Sequence, residues 1–191
     1  MNTAARHQQI FRTALTLFSQ KGYDQTSMRD IASHADISLG LTYNYFKNKE
    51  ALLIAIVEAG VAKIEQDWPN YPAENLQQWL VRYFTILEKY RSYWLLLRAL
   101  RLQSSLAKQL GTHFDELNNF IIGDLAVLLQ QSGYSKALPE AILLYATLDG
   151  IATQYFTNDR YPLNKMLALL QRKYDRATSA EATVKAPVVT P

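Results

Sequence analysis

Apolar residues in this chain return at every third or fourth position and almost never alternate, and only 7 glycines and 6 prolines interrupt them in 191 residues. That spacing belongs to helices with one apolar side, and it leaves no room for a patterned sheet. An all-α chain is expected. From Thr3 to Gln20 the stripe Phe11, Ala14, Leu15 and Phe18 follows i, i+3, i+4, i+7, and Lys21-Gly22 supplies the stop, glycine entering the left-handed conformation at little cost.

Start signals recur at once. Thr26 or Ser27 can cap a short helix over Met28 to His34, with Met28, Ile31, Ala32 and Ala35 inward, and Ser38 is the next cap, opening the segment SLGLTYNYF before Lys47-Asn48-Lys49. Asn48 caps a long helix reaching Asp67, with Leu52, Ala55, Ile56 and Ala59 on one side, until Trp68-Pro69-Asn70-Tyr71-Pro72 stops it. Further helices are expected over Ala73 to Lys89, Ser92 to Gln109, Thr112 to Gln131, Leu138 to Thr157 and Pro162 to Tyr174. Residues 177–191, small, polar and proline-bearing with no apolar stripe, read as a disordered tail.

Composition removes several chemistries. With no cysteine, disulfides, thiolate metal sites and thiol catalysis are excluded. The formal net charge is +3, divided as +2 over residues 1–50 and +1 over the rest, too mild to identify a nucleic-acid binder by itself. The first residues carry charge and glutamine rather than the apolar core of an export signal, and no run of about 18 apolar residues occurs, so a soluble cytoplasmic protein with no membrane partner is expected.

The informative stretch is Thr26 to Glu50, TSMRDIASHADISLGLTYNYFKNKE. Two short helices joined by a three- or four-residue turn make a helix-turn-helix, whose second helix enters the major groove of DNA. Ser38 to Tyr45 spans about 12 Å, close to the groove's width. Tyr43 and Tyr45 combine a hydroxyl for a phosphate with a ring for sugar or a thymine methyl, and Asn44 can address adenine through N6 and N7. Gly40 clears the helix backbone for close approach. Lys49, Thr26 and Ser27 sit at helix starts, where phosphates are favoured. Phe46 is a core residue by its spacing.

Over residues 5–57 the chain resembles the TetR family of bacterial transcriptional regulators, through ALTLFSQKGYDQTSMRDIA and then ADISLGLTYNYFKNKEALL in that order and spacing. The resemblance implies a three-helix DNA-binding domain over 1–50 and a helical domain over 51–176 that dimerises and binds a small-molecule effector. It also implies phosphate contacts from Thr26, Ser27, Ser38, Tyr43, Tyr45 and Lys49, with Leu39, Gly40, Leu41 and Asn44 toward base edges. Three positions depart from the family pattern. Leu39 stands where a polar or basic residue is frequent, Thr42 where an aliphatic residue usually faces the core, and Asp36 where glycine is common in the turn.

Residues 68–101 are dense in aromatics, with Trp68, Tyr71, Trp79, Tyr83, Phe84, Tyr90, Tyr93 and Trp94 ahead of Arg98 and Arg101. An aromatic stripe is more often helix core than ligand lining, while as a group these residues suit a pocket for a flat or long apolar effector. Trp68, Trp79, Tyr83, Tyr93, Trp94 and Arg98 are the candidate ligand contacts. Residues 112–131 and 138–157 carry apolar runs broad enough for two buried sides, and Gly123 and Gly150 permit close approach either inside the monomer or across a subunit interface. The resemblance favours a two-fold, four-helix interface.

Catalysis finds little support. His7, His34 and His113 are scattered, no phosphate-binding glycine motif occurs, and neither a metal nor another cofactor is expected. The expected protein is a homodimeric regulator on double-stranded operator DNA, most simply a repressor released by a small apolar or aromatic effector. The alternative is a helical ligand-binding or protein-interaction module that does not touch DNA.

Overall fold

The computed structural model describes residues 3–68, 73–101 and 111–175, with the side chains of 101 and 111–114 excepted. Every regular element among them is a helix: α1 (Thr3–Lys21), α2 (Met28–His34), α3 (Leu39–Tyr45), α4 (Lys49–Asp67), α5 (Leu76–Lys89), α6 (Arg91–Arg101), α7 (Gly111–Gln131), α8 (Ala137–Thr157) and α9 (Leu163–Lys173). The chain is all-α, as its periodicity requires. The stop at Pro69 to Pro72, the expected helical residues 102–109, and the expected tail over 177–191 lie outside the described residues.

Local signals explain most boundaries. Gly22 takes φ +90° and returns its amide to the Phe18 carbonyl, ending α1. Ser27, Ser38 and Asn48 each place a side-chain oxygen on an amide three residues on, opening α2, α3 and α4. The α5 helix begins at Leu76 rather than Ala73, because Asn75 Oδ1 accepts from the Gln78 amide and so cedes the preceding residues to the loop.

The chain divides into two compact units, residues 1–69 with 89–111, and residues 70–88 with 112–191. In the first, α1 and α4 contribute Ile10, Ala14, Phe18, Leu52, Leu53 and Ile56 to the core, and α6 adds Leu96, Leu97 and Leu100. Gly60 in α4 lets Tyr93 of α6 lie against the helix backbone. At the end of α4, Asp67 forms an ion pair with Lys89 and accepts the Tyr90 hydroxyl at 2.6 Å.

The second unit holds α5 with α7, α8 and α9 around Trp79, Leu80, Leu125, Leu129, Leu144 and Leu148. Gln77 Nε2 donates to the Gln171 carbonyl at 3.0 Å, and the Tyr174 hydroxyl donates to Glu140 at 2.8 Å, joining the end of α9 to the start of α8. Burial, followed by the Glu140 hydrogen bond, pushes the Tyr174 hydroxyl well above the usual phenol range.

Among the described residues no helix is long and apolar enough to cross a membrane, and no group of three or more His, Asp or Glu is gathered to hold a metal ion.

Candidate nucleic-acid interface

The site is assembled by the two caps of the helix-turn-helix. Ser27 Oγ accepts from the Asp30 amide at 3.1 Å while the Asp30 carboxylate accepts from the Ser27 amide at 2.8 Å, a reciprocal box that fixes the entry of α2. The Ser27 hydroxyl also donates to that carboxylate, and these bonds hold the Asp30 carboxyl below its ordinary range. Gln9 of α1 donates to the Ala35 carbonyl at 2.7 Å, tying α1 to the far end of α2.

The turn passes through Asp36 at φ +50°, a left-handed conformation that a short polar residue accepts more readily than most. Ser38 then turns its hydroxyl oxygen to the Leu41 amide at 3.2 Å and opens α3. Thr42 is fully buried and donates its hydroxyl to the Ser38 carbonyl at 3.1 Å, so the inward seat of α3 takes a threonine without stranding its polar atom. Phe46 is buried beside it.

These inward residues set the opposite face. Gly40 and Asn44 are exposed, Tyr43 is 48% exposed, and Leu39, Leu41 and Tyr45 are half-buried around them. A Cβ added at Gly40 would meet nothing within 4 Å, so the fold itself does not require glycine there. The Tyr45 ring stands edge-on to His7 of α1 at 6.1 Å, and His7 lies 4.9 Å from the Phe46 ring and stacks on Phe11. This support for the end of α3 has no counterpart in the local sequence signal.

The expected phosphate contacts fall in different settings. Ser27 and Ser38 are exposed, each engaged as a cap. Thr26 is buried, and its hydroxyl donates to the Gly22 carbonyl at 2.8 Å. Lys49 is half-buried, with Nζ donating to the Tyr23 carbonyl at 2.9 Å and lying 4.1 Å from the centre of the Tyr23 ring. Burial, and then the carboxylates of Glu50 and Asp24, raise the Tyr23 hydroxyl above its ordinary value. Two exposed cations that were not among the expected contacts belong to this region, Arg29 on α2 and Lys47 just beyond the α3 cap residue Phe46.

The candidate ligand residues divide between the units. Trp68 and Tyr93 are buried, and Trp94 and Arg98 half-buried, in the first unit. In the second, Trp79 and Tyr83 are buried and stacked, with ring centres 5.4 Å apart. An open groove of about 460 Å³ on α5 and α9 is lined instead by Gln77, Gln78, Val81, Arg82 and Gln171.

The α7 and α8 helices do present two apolar sides. Ile121, Leu125, Leu128, Leu144 and Leu148 are buried in the unit, whereas Phe120, Val127, Leu138, Ile142 and Leu143 are 49 to 56% exposed. Gly123 and Gly150 are exposed as well, and a Cβ at either would meet nothing within 4 Å. Crowding inside the monomer therefore does not account for them.

Comparison with known proteins agrees with this geometry. The family model for bacterial regulatory proteins of the tetR family matches residues 10–56. The uncharacterized HTH-type transcriptional regulator YuxN of Bacillus subtilis (strain 168) is 52% identical over 48 residues, 25% of this chain but only 16% of that relative's length. The biofilm operon icaADBC HTH-type negative transcriptional regulator IcaR of Staphylococcus aureus (strain Newman) is 28% identical over 152 residues, covering 67% of this chain and 82% of that protein. A TetR-like transcriptional regulator from Rhodococcus sp. RHA1 has the same fold, with a TM-score of 0.75 at 24% identity over 94% of this chain and 98% of that one.

Proposed function

We propose, for a chain that belongs to the TetR family of bacterial regulatory proteins through its N-terminal domain, that it acts as a homodimeric repressor on double-stranded operator DNA. One observation carries the DNA-binding part: α3 buries Thr42 while Gly40, Tyr43 and Asn44 face outward on a helix capped by Ser38. Asn44 reads a base edge, with Leu39, Gly40 and Leu41 close to the bases. Tyr43, Tyr45, Ser27, Ser38 and Lys49 hold phosphates, Thr26 contributes through its place at the start of α2, and Arg29 and Lys47 add to the phosphate contacts.

In this reading residues 1–50 bind DNA, and residues 51–176 carry the effector and the partner subunit. The exposed stripe of Phe120, Val127, Ile142 and Leu143, with Gly123 and Gly150 along it, supports a two-fold interface of α7 and α8. Negative regulation is the role of IcaR, aligned over 67% of this chain, which supports repression. We assign contacts with a small apolar or aromatic effector to Trp79 and Tyr83 within the second unit, and Trp68, Tyr93, Trp94 and Arg98 form a separate candidate set within the first. The effector favours a dimer whose reading helices no longer match half-sites about 34 Å apart, and affinity falls through geometry.

A salt series of duplex shifts with the purified chain, including the DNA beside its own reading frame, tests the reading. Affinity that falls steeply with salt and favours particular duplexes supports it. A protein that shifts no duplex at about 50 mM salt is not an operator-binding protein.

A further inference from the structure

What α3 can read is limited by what it lacks, and this inference rests on the DNA-binding reading above. Its seven residues, Leu39–Tyr45, include no Arg, Lys, Gln, Asp or Glu. In the major groove guanine presents two acceptors, N7 and O6, that Arg or Lys addresses with paired hydrogen bonds, and cytosine presents an amino donor suited to a carboxylate. Neither a cationic side chain nor a carboxylate is present on α3.

The hydrogen-bonding groups that remain are few. Thr42 is buried with its hydroxyl on the Ser38 carbonyl, Ser38 caps the helix, Tyr45 is half-buried with its ring against His7, and the exposed Tyr43 is given to a phosphate in the reading above. Lys47 follows the extended cap residue Phe46 and so stands off the helix. Asn44 is left as the exposed amide on the helix, and an amide pairs with adenine at N6 and N7. Leu39 adjoins Gly40, where the backbone is bare and nothing in the protein fills the space, so this part of α3 can approach the base edges closely. The apolar group on a base edge in the major groove is the C5-methyl of thymine.

We propose that the operator half-site under α3 consists of A·T pairs, with Leu39 packed on a thymine C5-methyl, Asn44 paired with adenine, and no guanine contact from the helix.

Duplexes bound by the full chain are selected from a random pool, and the selected half-site is remade with deoxyuridine in place of each thymine, which deletes the methyl and keeps the pairing. The selected half-sites are expected to be A·T at their centre. One substitution is expected to weaken wild-type binding about fourfold, the worth of one buried methyl-sized group. Leu39→Ala is expected to bind thymine and uracil duplexes alike, and Leu39→Met to keep part of the preference, with circular dichroism confirming that both variants are folded. If Leu39→Ala binds nothing, the wild-type and Leu39→Met comparisons decide the matter. Half-sites centred on G·C, or uracil duplexes bound by wild type as tightly as the thymine originals, overturn the proposal and leave DNA binding standing. Failure of wild type to bind any duplex overturns both.

Discussion

Gly60 lies directly against the ring of Tyr93: a Cβ built on it would stand 2.3 Å from the ring carbon Cδ1. Alanine ordinarily stabilises a helix over glycine by up to about 1 kcal/mol, but here the added methyl has no room and overpacking costs about 1 to 3 kcal/mol. Gly60→Ala is therefore expected to destabilise the chain in urea unfolding, and pairing it with Tyr93→Ala is expected to cost less than the two changes summed. A more stable Gly60→Ala contradicts the packing described.

Gly40 is the opposite case, since a Cβ there meets nothing in the protein. Gly40→Ala is expected to raise stability by about 0.5 to 1 kcal/mol and at the same time to weaken duplex binding, because in the proposed complex the methyl would enter the space given to DNA. Unfolding and duplex titration on the same sample separate the two effects. Unchanged affinity removes the steric role given to this glycine.

Asn44 and Lys49 are expected to fail differently. Asn44→Ala loses about 1 to 3 kcal/mol of discrimination between duplexes, whereas Lys49→Ala weakens all duplexes alike and reduces the salt slope by about one. Lys49→Ala also leaves the Tyr23 carbonyl without its 2.9 Å donor and is expected to lose stability by about 1 kcal/mol. Equal loss of discrimination in both variants refutes the division of labour.

The cap of α2 carries a pH signature. The Asp30 carboxyl lies below its ordinary 3.8 in the fold because Ser27 donates to it, so the folded chain binds that proton more weakly than the unfolded chain. Its contribution is complete above that ordinary value and is lost as the pH falls through the lowered one. Asp30→Ala is expected to flatten this acid limb in stability measurements, and Ser27→Ala to cost about 1 kcal/mol at neutral pH. An unchanged acid limb in Asp30→Ala removes the box from the account.

On the exposed stripe, Leu143→Glu and Gly123→Leu are expected to leave the monomer folded, since neither position is packed within its unit. Sedimentation is expected to show the dimer mass reduced to the monomer's, with duplex affinity falling alongside. A dimer that survives both substitutions lies elsewhere on the surface.

The elements readable from sequence are those whose cause lies within a few residues. Ser27, Ser38 and Asn48 cap amides three positions away, Gly22 ends α1 four residues after Phe18, and the exposed face of α3 follows from helical spacing around Thr42 and Phe46. Contacts across long separations were beyond that reach. His7 meets Tyr45, Lys49 reaches the Tyr23 carbonyl, and Tyr93 settles on Gly60 only because α1, α4 and α6 pack together. The start of α5 was legible in kind but misplaced by three residues, because Asn75 competes as a cap within a run that reads as helical from Ala73. Of the aromatics between 68 and 101, Trp68, Trp79, Tyr83, Phe84 and Tyr93 are buried and Tyr90 and Trp94 half-buried, yet their density does not reveal that Trp79 and Tyr83 join a different unit from Tyr93 and Trp94.

The α6 helix belongs to the same unit as α1 and α4, although α5 intervenes in the chain. A headpiece severed behind residue 67 would leave Leu96, Leu97 and Leu100 behind and bare the apolar flank they cover. Such a fragment would be sticky and frayed, so the reading head of this protein has to be studied, and borrowed for engineered fusions, with its returning helix attached.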